Sequence, residues 1–126
     1  MVSFIKNLTL NCRDAMVEAH FWAAVLGTDV DEDSTDDKAF VEAAAWGGPG
    51  IWFNGGGTTA PEAAATGLHL DLRSLTTMDS EVDRLVGIGA RVVRRQEGLV
   101  VLADPEGNEF CVEPGPEDPH PGPDPV

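Results

Sequence analysis

Apolar and polar residues alternate over residues 3–12, and this alternation predicts a β-strand with one apolar and one polar face. The apolar face holds Leu8, Leu10 and Cys12, and the polar face holds Asn7, Thr9 and Asn11. A helical pattern follows, with Asp14 placed to cap its start and Gly27 to end it. The apolar stripe of this helix comprises Val17, Phe21, Ala24 and Val25. Short strands are then predicted near residues 28–31, 38–45 and 50–54.

The second half of the chain repeats this order of elements. The segment His-Leu-Asp-Leu-Arg that begins at His69 matches the segment Asn-Leu-Thr-Leu-Asn that begins at Asn7. Its apolar face holds Leu68, Leu70 and Leu72, and its polar face holds His69, Asp71 and Arg73. A second helix, capped by Thr76 or Thr77, has an apolar stripe of Met78, Val82, Leu85 and Val86. Strands are predicted near residues 91–96, 99–103 and 109–113.

The duplication predicts one α+β domain, residues 1–114, built from two βαβββ modules. Module one covers about 3–54 and module two about 66–114, with a glycine- and alanine-rich link over about 55–65. A half this short cannot bury a core alone, so we expect the halves to pair around a central cleft. Residues 115–126 alternate proline with Gly, Asp and Glu, which is typical of an extended or disordered tail.

The charge balance excludes some classes of partner. The 126 residues carry 22 acidic and 8 basic side chains, a net charge of −14. This charge argues against nucleic acid and against anionic membranes and is compatible with a cationic ligand, although we favour solubility as its explanation. No apolar run is long enough to span a membrane and the first residues lack the pattern of a signal peptide, so we expect a cytoplasmic protein.

The polar faces of the two leading strands carry the candidate site, because polar side chains behind helices need a partner, water or a ligand. His69 and Asp71 share a face, and Asp71 could orient His69 or raise its pKa. The pair is either a catalytic dyad or, as we favour, a satisfied polar network. Arg73 could clamp a carboxylate or phosphate, or pair with Asp71 or Glu113.

Aromatic residues and cysteines add further candidates. Trp46 is expected to rim the cavity, and either Trp52 or Phe53 to face it, as an aromatic wall for a flat or cationic ligand. Cys12 and Cys111 are expected as free thiols on opposite sheet faces. Cys111 is interpreted as an inert buried thiol, since the sequence places no base beside it.

Five segments of the chain resemble the vicinal oxygen chelate superfamily, which includes glyoxalase I, extradiol dioxygenases and the fosfomycin- and bleomycin-resistance proteins. They are residues 7–14, the helix end from Phe21-Trp22 to Leu26-Gly27, and residues 69–73, 89–93 and 102–111. The resemblance runs over nearly all of residues 3–114 and is closest to the glyoxalase-like branch. It implies two βαβββ modules whose sheets form a cup around a shared cavity, and a homodimer.

Metal-dependent members of that superfamily place their ligands on the first and last strands of the modules. Those positions correspond here to Asn7, Phe53, His69 and Cys111, and the chain matches the usual His, Glu or Gln only at His69. A catalytic divalent ion needs about three protein donors. His69 with a Cys111 thiolate and Asn7 would be a poor set, although Glu109 and Glu113 share the face of Cys111. We therefore expect no metal cofactor.

Two functions follow from this resemblance. The favoured hypothesis is metal-independent binding of a small molecule, as in the bleomycin-resistance branch, where an acidic dimer sequesters a bulky cationic drug. The expected ligand-binding residues are Asn7, Thr9, Trp46, Trp52, Phe53, His69, Arg73 and Cys111. The alternative is a metal-dependent lyase, isomerase or dioxygenase of glyoxalase type that holds its ion through His69. A metal-free enzyme with His69 and Asp71 as catalytic residues lies between the two.

Overall fold

The computed structural model describes residues 2, 5–56 and 69–119. The chain divides into two compact units, the first module, Met1–Ala63, and the second module, Ala64–Val126. Each contains strands and a helix, which confirms the predicted α+β class and the two modules. Most of the predicted link, the last seven residues of the tail and Leu68 of the predicted apolar face lie outside the described residues.

The described residues of the first module form one helix and a three-stranded sheet. Its elements are β1 (Asn7–Asn11), α1 (Ala15–Leu26), β2 (Lys38–Val41) and β3 (Gly50–Asn54). The strand order is β1-β3-β2, with β1 parallel and β2 antiparallel to β3. Leu8 and Leu10 share the face of Ile51 and Phe53, since they are partners in register. Helix α1 packs against β2 and β3 and covers that apolar face.

Helix α1 begins and ends at the predicted residues. The Asp14 carboxylate accepts hydrogen bonds from the backbone N–H groups of Met16 and Val17, at 3.1 and 3.2 Å. Gly27 ends the helix with φ of 70°, in the left-handed region that favours glycine.

The predicted apolar stripe of α1 is wrong in part, because Val17 is 45% exposed and Ala24 is also exposed. The buried face comprises Ala15, Glu18, Ala19, Phe21, Trp22, Ala23 and Val25. Small alanines let the helix lie close to the sheet, so bulk alone did not identify the buried face.

The strand predicted at 28–31 is reduced to a single bridge between Val30 and Val41. The chain turns directly afterwards, because the Asp31 carboxylate accepts from the N–H of Asp33 at 2.9 Å and the Asp31 carbonyl accepts from Ser34 at 3.1 Å. Because these contacts turn the chain over residues 31–34, the pairing with β2 does not continue beyond this point.

In the second module, residues 69–119 form one helix and a four-stranded sheet. Its elements are β4 (Leu70–Arg73), α2 (Met78–Gly87), β5 (Arg91–Gln96), β6 (Leu99–Ala103) and β7 (Glu109–Glu113). The strand order is β4-β7-β6-β5, with β4 parallel to β7 and the other pairs antiparallel. The module is therefore βαβββ, as predicted. Neither helix within the described residues is long and apolar enough to span a membrane.

Helix α2 buries two of its four predicted stripe residues, Val82 and Leu85, whereas Val86 is exposed. It packs against β5, β6 and β7. Thr77 is its N-cap and accepts from the Ser80 N–H at 3.2 Å.

The chain after β7 is ordered further than predicted. The N–H of Glu117 donates to the Thr76 carbonyl at 3.1 Å, and the Asp118 carboxylate accepts from the N–H of Met78 at 2.8 Å. Residues 115–118 are therefore held against the start of α2. The prediction of an extended or disordered tail is corrected for these four residues. The carboxylate explains the difference, because it satisfies an N–H that the first turn of a helix leaves unpaired.

Replacement of Gly87 by alanine is expected to raise the free energy of unfolding by about 0.5–1 kcal/mol. Gly87 lies in the last turn of α2, its φ is not in the left-handed region, and an added Cβ would meet no heavy atom within 4 Å. Urea denaturation of both proteins measures the change. A loss of stability would contradict the helical environment described for this residue.

Candidate functional site

The second module presents a polar sheet face on the side away from α2. In the parallel pairing of β4 with β7, Asp71 lies opposite Cys111 and Arg73 lies opposite Glu113. Residues in register share a face, whereas Phe110 and Val112 alternate to the other face and are buried. His69 directly precedes β4, two residues before Asp71. The sequence-predicted residues of this module are thus brought onto one surface.

Three side chains form the centre of this surface, which is called the His-Asp-Cys cluster (His69, Asp71 and Cys111). The Cys111 thiol donates to Asp71 Oδ1 at 2.9 Å. His69 Nε2 lies 3.4 Å from the same oxygen. One ligand atom from each residue lies within 4.8 Å of the other two. Within the part of the chain that the structure describes, no other such triad of His, Cys, Asp or Glu is this compact.

The cluster holds Cys111 as a neutral thiol. Burial, followed by the hydrogen bond to Asp71 and the negative charges of Asp71 and Glu113, raises the pKa of Cys111 from 9.0 to about 12. A thiol with this pKa is protonated at neutral pH, and the thiolate is the form that attacks electrophiles. This geometry supports the interpretation of Cys111 as an inert thiol rather than a nucleophile.

The same three side chains have the donor chemistry of a metal site. Imidazole nitrogen, carboxylate oxygen and thiolate sulfur are the three ligand types that Zn²⁺ accepts. Sequence reasoning combined His69 and Cys111 with Asn7 or a nearby Glu, whereas the structure brings Asp71 to them instead. The third donor that the sequence left open is therefore present within the second module, and the residues fit an ion of the zinc type.

The first module presents an aromatic face on the side of its sheet away from α1. Thr9 and Phe40 are the register partners of Trp52 on the two sides of β3. The rings of Phe40 and Trp52 lie 4.5 Å apart between centroids, tilted by 40°. The ammonium of Lys38 lies over the Trp52 ring, 5.0 Å from its centroid. Lys38, Phe40 and Trp52 are called the aromatic face.

Sequence reasoning missed Lys38, Phe40 and Gly50. The first two could have been found from the alternation Lys-Ala-Phe-Val in β2, which places Lys38 and Phe40 together on the face opposite the buried Ala39 and Val41. Gly50 gives space to this face, because an added Cβ would lie 2.5 Å from the Phe40 ring and 2.9 Å from Asn7 Oδ1.

Two predicted residues are not part of the aromatic face. Phe53 is 1% exposed and alternates with Trp52, so it lies in the core on the α1 side. Trp46 is 70% exposed, and its indole N–H donates to the carbonyl of Leu26 at the end of α1, at 3.2 Å. Of the two aromatic residues that the sequence left open, Trp52 lies on the sheet face opposite α1 and Phe53 does not.

The sequence assigned Phe53 to the position that matches Cys111 in the repeat, but the register of the two sheets assigns that position to the preceding residue, Trp52. Leu8 and Leu70 are matching residues of the repeat; Leu8 pairs with Ile51, and Leu70 pairs with Phe110. Trp52 is therefore the residue equivalent to Cys111. A shift of one residue in a strand exchanges its two faces. The corrected position still carries an aromatic residue, which offers a divalent ion no usual ligand atom.

Comparisons with known proteins agree with this architecture. The model of the glyoxalase-like domain family matches residues 7–113, which is most of the chain. An enzyme of the glyoxalase/bleomycin resistance protein/dioxygenase family from Burkholderia phytofirmans PsJN is similar with a TM-score of 0.63 and 18% identity, covering 87% of this chain and 97% of that one. No curated protein matches the chain.

A second solved structure is the genomically encoded fosfomycin resistance protein FosX from Listeria monocytogenes. Its TM-score is 0.64 at 20% identity, covering 91% of this chain and 93% of that one. A mutant of that protein was crystallised with Mn(II) and a dihydroxypropylphosphonic acid. At these identities the likeness concerns the fold, and the match of the family model carries the assignment. The chain belongs to the family of glyoxalase-like domains, within the vicinal oxygen chelate superfamily.

Proposed function

We propose that this protein binds a small cationic aromatic molecule on the aromatic face of the first module, and that this binding needs no metal ion. The observation that carries the proposal is the ammonium of Lys38 over the ring of Trp52. A cation near the face of an indole is attracted by the negative face of the ring. The position of the Lys38 ammonium supports a cation as the ligand of this face.

The surroundings of Trp52 favour a ligand that is flat as well as positively charged. Phe40 supplies a second ring beside the indole, and Thr9 lies exposed on the neighbouring strand as a hydrogen-bonding group. The net charge of −14 attracts cations over longer distances. Relatives described as bleomycin resistance proteins support a small organic molecule as the class of ligand.

The proposal is tested by calorimetric titration with 1-methylquinolinium in the presence of EDTA, with neutral quinoline as the matched uncharged probe. Trp52→Ala is expected to weaken the binding of 1-methylquinolinium at least tenfold, about 1.4 kcal/mol. Trp46→Ala is the control, because the Trp46 indole donates to the Leu26 carbonyl and is not part of the aromatic face. Equal affinity for quinoline and 1-methylquinolinium, or undiminished binding by Trp52→Ala, would contradict the proposal.

A second candidate function is metal-assisted conversion of a small molecule, and the His-Asp-Cys cluster is the observation that favours it. His69, Asp71 and Cys111 would hold the ion, which would supply Lewis acidity toward oxygen atoms of a substrate. Glyoxalase assays of the zinc-loaded protein test this function. Turnover that is lost in His69→Ala supports it, and a rate equal to that of the zinc-free protein contradicts it.

A further inference from the structure

We infer that His69, Asp71 and Cys111 form a metal site complete within the second module, and that the site selects thiophilic ions such as Zn²⁺ and Co²⁺ over Mn²⁺ and Mg²⁺. The inference is independent of ligand binding on the aromatic face. The superfamily resemblance supplies only two of the three donors, His69 and Cys111. Asp71 lies outside the positions that the resemblance implies, and its inclusion rests on the contacts in this structure.

The backbone fixes the geometry of the site. Asp71 and Cys111 are register partners on adjacent parallel strands, and the thiol of Cys111 already lies 2.9 Å from Asp71 Oδ1. Neighbouring strands of a sheet lie about 4.8 Å apart, so register partners on them are held side by side. His69 reaches the same oxygen from the start of β4, at 3.4 Å. Ligand atoms around a tetrahedral zinc ion lie roughly 3.5 Å apart, so only small side-chain rotations are needed.

The exposure of the cluster suits the entry of an ion from solvent. The side chains of His69 and Asp71 are 47% and 64% exposed, whereas Cys111 is 5% exposed. Two donors can therefore meet a hydrated ion, and the sulfur lies below them. Three protein donors leave a fourth tetrahedral position for water, which is the arrangement of an open zinc site.

The sulfur atom determines which ions bind. Thiolate is a soft ligand that prefers Zn²⁺ and Co²⁺, whereas Mn²⁺ and Mg²⁺ prefer oxygen ligands. Binding forms a sulfur–metal bond and releases the thiol proton of Cys111 to solvent. Selectivity against oxygen-preferring ions therefore depends on Cys111, and charge neutralisation depends on Asp71 together with the thiolate.

The experiment is titration of reduced, EDTA-treated full-length protein with Co²⁺, followed by displacement with Zn²⁺. We expect one equivalent of Co²⁺ with a sulfur-to-cobalt charge-transfer absorption, and release of a proton. Cys111→Ser should abolish that absorption and weaken Zn²⁺ binding about 100-fold or more, and His69→Ala and Asp71→Asn about tenfold or more. A tenfold excess of Mn²⁺ should displace little Co²⁺.

Matched variants distinguish the cluster from adventitious binding. Cys12→Ser removes the other free cysteine and His20→Ala removes an exposed histidine of α1, and both should bind as the parent does. Charge-transfer absorption that persists in Cys111→Ser, absence of Co²⁺ binding, or Mn²⁺ affinity equal to that of Co²⁺ would each overturn the inference. Circular dichroism of the metal-free variants establishes that they are folded. Since 1-methylquinolinium binding is measured in EDTA, its outcome is independent of the metal site, whereas absence of Co²⁺ binding would also remove the second candidate function, which rests on the same cluster.

Discussion

Replacement of Gly55 by alanine is expected to lower the free energy of unfolding by about 2–3 kcal/mol. Gly55 directly follows β3, and an added Cβ would lie 2.2 Å from the carbonyl oxygen of Asp36 and 3.2 Å from the Cα of Asp37. These are backbone atoms, which cannot rotate away as the end of a side chain can. The methyl group therefore requires a shift of the chain itself.

Several backbone hydrogen bonds limit that shift. The N–H of Gly55 donates to the Asp37 carbonyl at 2.7 Å, and the N–H of Ala15 donates to the Asp36 carbonyl at 3.0 Å. Moving residues 36–37 would strain both bonds, including the one at the start of α1. The loss of stability therefore adds weakened hydrogen bonds to the steric overlap.

Urea denaturation of Gly55→Ala measures this loss, with Gly87→Ala as the control for the same change of residue in open space. The two variants should shift the denaturation midpoint in opposite directions. A Gly55→Ala protein as stable as the parent would show that residues 36–37 can move at little cost, contrary to the contacts described.

The second large effect is expected at Asp118, where replacement by alanine should cost about 2–3 kcal/mol of unfolding free energy. Its carboxylate accepts from the N–H of Met78 at 2.8 Å and from the N–H of Gly115 at 2.7 Å. Both are charge-assisted bonds, and Met78 is the first residue of α2, where negative charge is favourable. Alanine would leave both N–H groups without this acceptor.

Hydrogen exchange provides a residue-specific measurement of this contact. The amide of Met78 should exchange faster in Asp118→Ala than in the parent protein, and Asp118→Asn should fall between them, since it retains an acceptor without the charge. Glu117→Gln is the matched control, because the contact described for Glu117 is made by its backbone N–H to the Thr76 carbonyl. Unchanged protection of Met78 in Asp118→Ala would contradict the capping role.

Local patterns were sufficient to predict most elements of the fold. Asp14 and Gly27 mark the ends of α1 because capping depends on residues adjacent in sequence. Alternation likewise predicted the leading strands of the two modules, Asn7–Asn11 and Leu70–Arg73, since the two faces of a strand differ in composition. These relations involve neighbours in the chain, so the sequence contains them directly.

Register and long-range contacts were beyond such patterns. The pairing of Leu8 with Ile51 determines that Trp52, not Phe53, matches Cys111, and neither strand alone shows how they align. Asp118 contacts Met78 across 40 positions of sequence, and nothing in the proline-rich tail indicates that contact. The sequence indicated only that Asp71 and Cys111 both belong to the candidate site. Their 2.9 Å contact depends on the parallel pairing of β4 with β7.

Under the proposed function, Lys38 would compete with the ligand, since an incoming cation would meet the lysine ammonium already placed over Trp52. A group on a short tether acts at an effective concentration in about the millimolar range. A simple ammonium ion would interact with Trp52 no more strongly than the Lys38 ammonium does, so displacement of the lysine would yield little binding free energy. A flat cation that also contacts Phe40 gains additional area. The lysine would therefore lower the affinity of this face for the abundant small cations of a cell. Only ligands with a second point of contact would bind more strongly than the lysine does.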